Sequence, residues 1–364
     1  MLSVFIGSGL TALLVVPWYA ITHGYNGWLW LSFFILVMWN GLSITAGYHR
    51  LWAHKSYNAH FIIRLLFALG GALALQNSIK IWCSNHRNHH RHVDDLDKDP
   101  YPARRGFWFA HIGWMFRDYA AAEVDESNIK DLMKDPLVRI QHDYYWPLVF
   151  LTNACLPFAL GWFSGDAIGG LLLLGCLRLV VCHHTTFLIN SLAHSWGQQP
   201  YSDDNSSRDN PVIAWLTFGE GYHNFHHTFQ WDYRNGLRWY QFDPTKWLIR
   251  SLSLIKLTYG LKRAAPERIE QCKAAMQLRH ATRSILSLKI ADAEALLSTL
   301  ELEYEKLLES LNAWASCRQQ WLEVKKADIV KKWDETELRL RLRELEANLE
   351  LQRYRWRMMT AQFT

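Results

Sequence analysis

The sequence predicts an all-α membrane protein with four transmembrane helices and a C-terminal coiled coil or helical hairpin. Three observations predict this fold class. Four apolar blocks are each long enough to cross a hydrocarbon core of about 30 Å as a helix. Charged residues make up only 20% of the 364 residues. The C-terminal segment, in contrast, is rich in charge and carries apolar residues at helical spacing.

The predicted spans are residues 2–22, 28–48, 146–163 and 168–190. A fifth block, residues 61–76, is short for a span and carries Arg64 near its start. We expect this block to be an interfacial or re-entrant helix. A full crossing there would place the histidines before it and after it on opposite sides of the membrane, where they could not share one site.

The distribution of basic residues predicts the orientation. The turns at 23–27 and 164–166 contain no Lys or Arg, whereas segments 49–140 and 195–263 contain many. By the positive-inside rule, these two segments and both termini face the cytoplasm.

The net charge of +5 is too small to indicate a nucleic-acid partner. Six cysteines without a CxxC pair indicate neither a disulfide framework nor a thiolate zinc site.

The composition changes after Pro266, the last proline. Apolar residues then recur every three or four positions from Ile290 to Trp314, and again from Leu338 to Leu349. The pattern lapses between residues 318 and 328, which favours two helices over one rod. We therefore divide the chain into a membrane domain, 1–263, and a helical region, 264–364, that serves self-association through a coiled coil.

Histidines cluster beside the ends of the apolar blocks. Two clusters have the spacing i, i+3, i+4, which places three imidazoles on one helix face and suits chelation of one ion or bridging of two. Another pair is five residues apart, about 140° around an ideal helix, so its members serve different metals or lie where the helix ends. The clustered residues are His49, His54, His86, His89, His90, His194, His223, His226 and His227.

Nine imidazoles exceed the four ligands of a single zinc ion, so two ions are the simplest solution. Imidazole binds Zn, Cu, Fe and Ni, and ligand type alone does not identify the metal. An isolated histidine is more often a hydrogen-bonded interfacial residue, but two HxxHH clusters in one chain argue against that interpretation. His183 and His184, inside the fourth block, are expected to make buried hydrogen bonds instead.

A two-metal site beside spans that can enclose an apolar tunnel indicates oxidation of a lipid chain. An unactivated C–H bond needs an oxidant stronger than any side chain, so a metal must supply that chemistry. Iron with O2 is the expected choice, because zinc has no redox states. No catalytic side chain beyond the metal centre is expected.

Three strings closely resemble the membrane fatty acyl desaturases of the stearoyl-CoA (delta-9) type: GYHRLWAHKSY at 47–57, HRNHH at 86–90 and GEGYHNFHHTF at 219–229. The resemblance also includes RRGF at 104–107, HIGW at 111–114 and NSLAH at 190–194, and it covers residues 25–250. The helical tail lies outside it and is only weakly typical of a bacterial form, which would place the protein in a bacterial inner membrane.

The resemblance implies four spans under a cytosolic helical cap, with two irons that use O2 to form a cis double bond, expected at delta-9, in a saturated acyl chain. It implies that the nine histidines are the ligands and that Asn190 contacts one iron through water. It further implies that Gln76, Trp82 and Thr186 shape the bend of an acyl tunnel. Phe187 stands where the family usually has Trp.

Two departures concern the acyl carrier. Where the family has Trp-x-Arg-Asp-His, this chain reads WCSNH at 82–86, and a basic pair of the family reads Arg117-Asp118. Phosphates of CoA are bound best by Arg or Lys, so CoA, acyl carrier protein and phospholipid all remain candidate carriers. Arg117 stays a candidate substrate-binding residue. Val37 and Gly41, small residues of the second span, lie near the expected tunnel end.

We expect a separate electron donor of the ferredoxin or flavin reductase type, since no segment is long enough for a fused haem domain. Two alternatives remain. A di-iron lipid hydroxylase or alkane monooxygenase shares the histidine clusters, and sequence does not reveal the placement of the chain that decides the reaction. A non-enzymatic membrane scaffold would account for the helical tail but would leave nine clustered histidines without a role.

Overall fold

The computed structural model describes residues 2–117, 119–288, 292–326 and 332–363. Asp118 and Ile290 lie outside the described residues. The chain forms two compact units. The first consists of Met1–Gln198 with Asp204–Arg263, and the second of Gln199–Asp203 with Ala264–Thr364.

The described part of the first unit is mostly helical. Its helices, in chain order, are α1 (Ser3–Thr22), α2 (Gly27–Ala53), α3 (Phe61–Ala74), α4 (Ile79–Arg91), α5 (Phe107–His111), α6 (Pro136–Asp143), α7 (Tyr145–Phe163), α8 (Ala167–His194), α9 (Pro211–Leu216), α10 (His223–Thr228) and α11 (Pro244–Leu254). A two-stranded antiparallel sheet pairs β1 (Asn58–Ala59) with β2 (Thr258–Tyr259). This sheet joins the segment after α2 to the end of the unit.

Helices α1, α2, α7 and α8 are long and apolar enough to cross a membrane, which confirms the predicted number of spans. Side-chain caps fix where two of them begin. Asn26 Oδ1 accepts from the N–H of Leu29 at the start of α2, and Asp166 Oδ1 accepts from that of Gly169 at the start of α8. The outer faces of the spans leave large apolar side chains exposed, as a surface that meets lipid requires.

The short fifth block forms α3, which is followed by α4 at a bend of 83°. The four-residue break contains Leu75 and Asn77, both with positive φ (51° and 73°). Helix α4 ends with histidines that lie beside His54, just after the end of α2. The end of the pair therefore lies close to the segment from which the pair began.

The second unit contains α12 (Pro266–Leu288), α13 (Ala293–Lys326) and α14 (Lys332–Thr360). The two apolar runs noted in the sequence fall mainly on α13 and α14. Helix α12 precedes these runs, so the described part of this unit has one helix more than the two expected. All three helices contribute to one core: Ala274, Ala281, Ile285, Leu300, Leu307, Leu311, Leu349 and Trp356.

Candidate metal centre

His49 and His54 lie on the same side of α2 because the helix changes its winding there. Residues Ser43–Ala53 are π-helical, and the His54 N–H donates to the carbonyl of His49 at 3.0 Å. A hydrogen bond from the N–H of residue i+5 to the carbonyl of residue i brings residues five apart onto the same side of the helix. An ideal α-helix would separate them by about 140°. Both imidazoles therefore face one centre, and the helix ends at Ala53, immediately before His54.

The two HxxHH clusters each divide between two groups of ligand atoms. In α4, His86 and His90 turn toward one group and His89 toward the other; in α10, His226 belongs to the first group and its neighbours to the second. The first group is His49, His54, His86, His90 and His226, and the second is His89, His194, His223 and His227. Within each group the ligand atoms lie within 4.8 Å of one another.

The ring nitrogens approach one another closely. In the first group, His49 Nε2 lies 2.9 Å from His226 Nε2, which lies 3.0 Å from His90 Nε2. In the second, His223 Nε2 lies 3.1 Å from the Nε2 atoms of both His194 and His227. Two ligands at right angles on one ion, each about 2.1 Å away, would be separated by about 3 Å. The spacing is therefore that of ligands around a metal ion.

In three of the rings, a hydrogen-bond partner of Nδ1 determines which nitrogen faces the centre. His49 Nδ1 donates to Glu220 Oε2 at 2.9 Å, and His89 Nδ1 donates to Asp99 Oδ1 at 2.9 Å. His194 Nδ1 lies 2.8 Å from the Ser206 hydroxyl, which donates to Asp94. A neutral imidazole carries one N–H, so each of these rings presents an unprotonated Nε2 inward. That is the metal-binding form.

The pKa shifts of the buried groups favour neutral imidazoles next to ionised carboxylates. Burial, followed by the neighbouring imidazoles, lowers the pKa of His226 and His227 well below the usual range. Burial raises the pKa of Glu220, but its interactions with His49 and Arg50 outweigh burial and lower that pKa to about 2. The donor set therefore fits metal ions, because metal binding requires deprotonated ligands.

A cavity of about 90 Å3 lies beside the centre, with His49, His86 and His223 in its wall. Gln76 Nε2 donates to Thr186 Oγ1 at 2.9 Å inside it, and the Trp82 ring stacks on that of His86. Of the described residues that line it, none is Lys or Arg. The predicted residues found in this wall are Gln76, Trp82, Thr186, Phe187 and Asn190.

A second cavity, of about 270 Å3, contains Val37 and Gly41 in its lining. These two residues do not line the first cavity, but Ile44, Thr45, Thr186 and Ile189 line both. An added Cβ at Gly41 would lie 2.2 Å from Phe218 Cε2. The two cavities thus share a wall, and the Phe218 ring packs directly on Gly41.

Arg117 lines neither of these cavities. It is exposed, with its guanidinium 5.7 Å from the centre of the Phe109 ring. Sequence reasoning also missed Glu220 and Asp99 as partners of metal-facing histidines. Glu220 stands inside a quoted motif, three residues before His223, whereas Asp99 follows the HRNHH cluster without a recognisable pattern.

Comparisons with known proteins agree with this geometry. A family model described as fatty acid desaturase matches residues 9–259. Acyl-CoA desaturase 1 of Saccharomyces cerevisiae is 44% identical over 263 residues, which are 71% of this chain and 51% of the yeast protein. The probable acyl-CoA desaturase of Schizosaccharomyces pombe is 46% identical over 228 residues, 62% of this chain and 47% of that protein.

Stearoyl-CoA desaturase 5 of Homo sapiens is 38% identical over 251 residues, which are 68% of this chain and 75% of the human protein. The chain spans about half the length of the two yeast relatives. All of the histidines of the candidate centre lie within the range that the family model matches.

Proposed function

The chain belongs to the fatty acid desaturase family, and from this premise we propose that it is an O2-dependent fatty acyl desaturase that introduces a cis double bond, at the delta-9 position, into a saturated acyl chain. The observation that carries the proposal is the convergence of nine imidazoles beside a cavity whose described lining contains no Lys or Arg and a single carboxylate, Glu220, which is paired with His49 and Arg50. Such a cavity suits an acyl chain better than a polar substrate.

We propose that the centre holds two iron ions, one in each histidine group, and that Asn190 reaches one of them through water. The chemistry that a bound di-iron centre supplies is the O2-dependent removal of two hydrogens from adjacent carbons, with two electrons and two protons taken up and two waters released. The proposed ligands are His49, His54, His86, His90 and His226 for one ion and His89, His194, His223 and His227 for the other.

The protein's own residues position the reactants. Glu220 and Asp99 hold the Nδ1 protons of His49 and His89, which keeps the opposite nitrogens of both rings directed inward. Gln76 and Thr186 join two walls of the cavity and set its bend. The proposed role of this bend is to place one C–C bond of the acyl chain next to the centre while the wall excludes water.

The proposed substrate enters as CoA, acyl carrier protein or phospholipid ester. The two yeast relatives are named as acyl-CoA desaturases, which supports the first of these. Trp82, Phe187, Val37 and Gly41 would contact the acyl chain, and Arg117 would meet the carrier outside the cavity. A separate ferredoxin or flavin reductase type donor would supply the electrons.

The protein is a multi-pass membrane protein. We propose that both termini and the metal centre face the cytoplasm, and that the membrane is a bacterial inner membrane. We also propose that residues 1–263 carry out catalysis and that the helices of residues 264–364 mediate self-association.

The experiment that tests the function is a fatty-acid profile of a desaturase-deficient host that expresses the chain with a supplied electron donor. We expect a new cis-monoene with the wild type and none with His226→Ala. His280→Ala, which changes an exposed histidine of the second unit, is the matched control and should keep the product. A hydroxylated fatty acid would instead indicate the hydroxylase class, and no new lipid would favour a scaffold.

A further inference from the structure

Helix α3 ends against the third and fourth spans, and its last three carbonyls are each bound by a polar side chain of those spans. Two of the donor residues, Arg178 and His183, belong to α8, and the third, Asn153, belongs to α7. The bonds run from Asn153 Nδ2 to Ala72 O (3.2 Å), from Arg178 Nη1 to Leu73 O (2.8 Å) and from His183 Nε2 to Ala74 O (3.0 Å).

The end of a helix normally leaves these carbonyls without intrahelical partners, although here Ala72 O also accepts the N–H of Leu75 (3.1 Å). Between spans there is little water to replace them, and an unsatisfied carbonyl in hydrocarbon is strongly unfavourable. Because a carbonyl can only accept, the His183 proton must be on Nε2. The three side chains therefore form a cap, which we call the intramembrane cap, for a helix that stops between the spans.

Arg178 is the least expected member of the intramembrane cap. It is the twelfth of the 28 residues of α8 and is fully buried. Among the described residues, its guanidinium donates only to carbonyl-type oxygens, including the amide oxygen of Asn153, and pairs with no carboxylate. A charged side chain at this depth is costly and typically has a functional reason.

The turn that follows the capped helix carries Gln76 into the first cavity. The other end of this turn, which leads into α4, is also fixed. The N–H of Ile79 donates to Gln141 Oε1 (3.0 Å), and the Ser78 hydroxyl lies 2.7 Å from His142 Nδ1. The turn is thus held by side chains at both ends, and the position of Gln76 depends on both.

Three residues on one face of α8 contact either the end of α3 or Gln76 in the cavity. Arg178, Cys182 and Thr186 are spaced i, i+4, i+8 and lie on one helix face. The first binds the end of α3, and the other two meet Gln76, at 3.5 Å from Cys182 Sγ and 2.9 Å from Thr186 Oγ1. A change in how α3 is capped would therefore move Gln76 relative to Thr186.

We propose that Asn153, Arg178 and His183 are positioning residues: by capping α3 they fix the bend at Gln76 and so decide which C–C bond of the acyl chain lies beside the histidine centre. This inference rests on the proposed desaturase function. Asn153 and Arg178, which do not line the first cavity, act through Gln76, whereas His183 is also part of the cavity wall. The consequence of the intramembrane cap is the position of the double bond rather than the ability to form one.

The test compares His183→Leu, which removes the donor, with His183→Gln, whose Nε2 can donate from a similar position. His184→Leu is the matched control, because the adjacent His184 is exposed and bonds His111 instead of α3. The first measurement is hydrogen exchange of the backbone amides of residues 72–79 in nanodiscs. We expect roughly fivefold faster exchange in His183→Leu, the factor given by a lost hydrogen bond of about 1 kcal/mol, and wild-type rates in the other two.

The second measurement is the ratio of double-bond positional isomers in the product. We expect the minor isomer to increase several-fold in His183→Leu and to return to the wild-type share in His183→Gln. Unchanged exchange in His183→Leu would overturn the intramembrane cap, and faster exchange with an unchanged isomer ratio would overturn its positioning role. A wild type that makes no monoene would contradict the proposed function, while the exchange rates would still decide the cap.

Discussion

At the residue scale, buried carboxylates stand behind two of the histidines that face the centre. Asp99 is completely buried and accepts from His89 Nδ1, from the N–H of Asp94 and from the N–H of Tyr101. Glu220 is shared by His49 and Arg50. One carboxylate thus supports each histidine group, and it supplies negative charge next to a ligand set that is otherwise neutral.

Removal of one of these charges should weaken metal binding. For Asp99→Asn, we expect metal affinity and monoene yield to fall roughly 10–100-fold, the usual cost of losing a partner behind a ligand. The measurement is iron per chain in purified protein together with product yield. Asp97→Asn, at an exposed carboxylate two residues away, is the control. Full iron occupancy in Asp99→Asn would contradict the assigned role.

A third carboxylate, Asp131, ties the HRNHH helix to the loop before α6. It accepts from both terminal nitrogens of Arg87 and pairs with Lys55. Burial raises the pKa of this carboxyl group, but the hydrogen bonds and charges of Arg87 and Lys55 outweigh it and lower the pKa well below its usual range. A depressed pKa means that the ionised form is stabilised in the folded protein.

The sign of this shift gives a pH dependence. The contribution of Asp131 is fully present above the ordinary Asp pKa of about 4 and is lost as the pH falls through the lower folded-state value. We expect Asp131→Asn to cost about 1 kcal/mol at pH 7, since the pair is partly exposed. Melting temperatures of the two proteins in detergent should converge as the pH is lowered below about 4. A difference that persisted in acid would exclude this origin.

At the element scale, small residues determine how closely α7 and α8 approach. An added Cβ at Gly170 would lie 2.6 Å from both the Gly161 Cα and the Pro157 carbonyl oxygen. Membrane helices commonly use such contacts, because close backbone packing replaces the hydrophobic driving force that lipid does not provide. The same two spans supply the intramembrane cap, so their spacing also affects the end of α3.

Gly170→Ala should therefore force α7 and α8 apart. Overpacking of this kind costs about 1–3 kcal/mol, and we expect a lower melting temperature in detergent. Gly9→Ala, in α1, is the control, because nothing lies within 4 Å of its added Cβ and alanine is the better helix former. Equal melting temperatures for the two variants would show that the α7–α8 contact is not limiting.

At the scale of the whole molecule, the nine histidines of the candidate centre and both cavities belong to the first unit. The second unit has a hydrophobic core of its own. The range matched by the family model ends at residue 259, before the second unit's helices begin. The residues proposed for catalysis and the C-terminal helices therefore lie in different units.

A chain that ends after Arg263 should keep desaturase activity. We expect monoene yield per molecule of membrane-inserted protein to remain within about twofold of the full chain, because no residue of the metal centre is removed. Immunoblots of the membrane fraction would supply the protein amounts, and His226→Ala in the truncated chain the background. Normal insertion without product would mean that the C-terminal helices are needed for catalysis.

The four spans and the nine clustered histidines could be predicted from the sequence alone, because both are local signals: an apolar run of sufficient length, and imidazoles repeated beside the ends of such runs. It also placed Gln76 and Thr186 at the cavity, through motif resemblance. It left open whether each HxxHH cluster binds one ion or two, because residues on one helix face can point to either side of it.

The division of the nine histidines into two groups depends on the tertiary fold, because each group combines side chains from segments far apart in the chain, such as His49 and His226. The π-helical end of α2 brought His49 and His54 to one side, a change of winding that an ideal helix does not predict. The hydrogen bond of Asp99 to His89 and the intramembrane cap likewise could not be predicted from the sequence. Their partners are chosen by packing between elements, and packing leaves no periodic pattern in the chain.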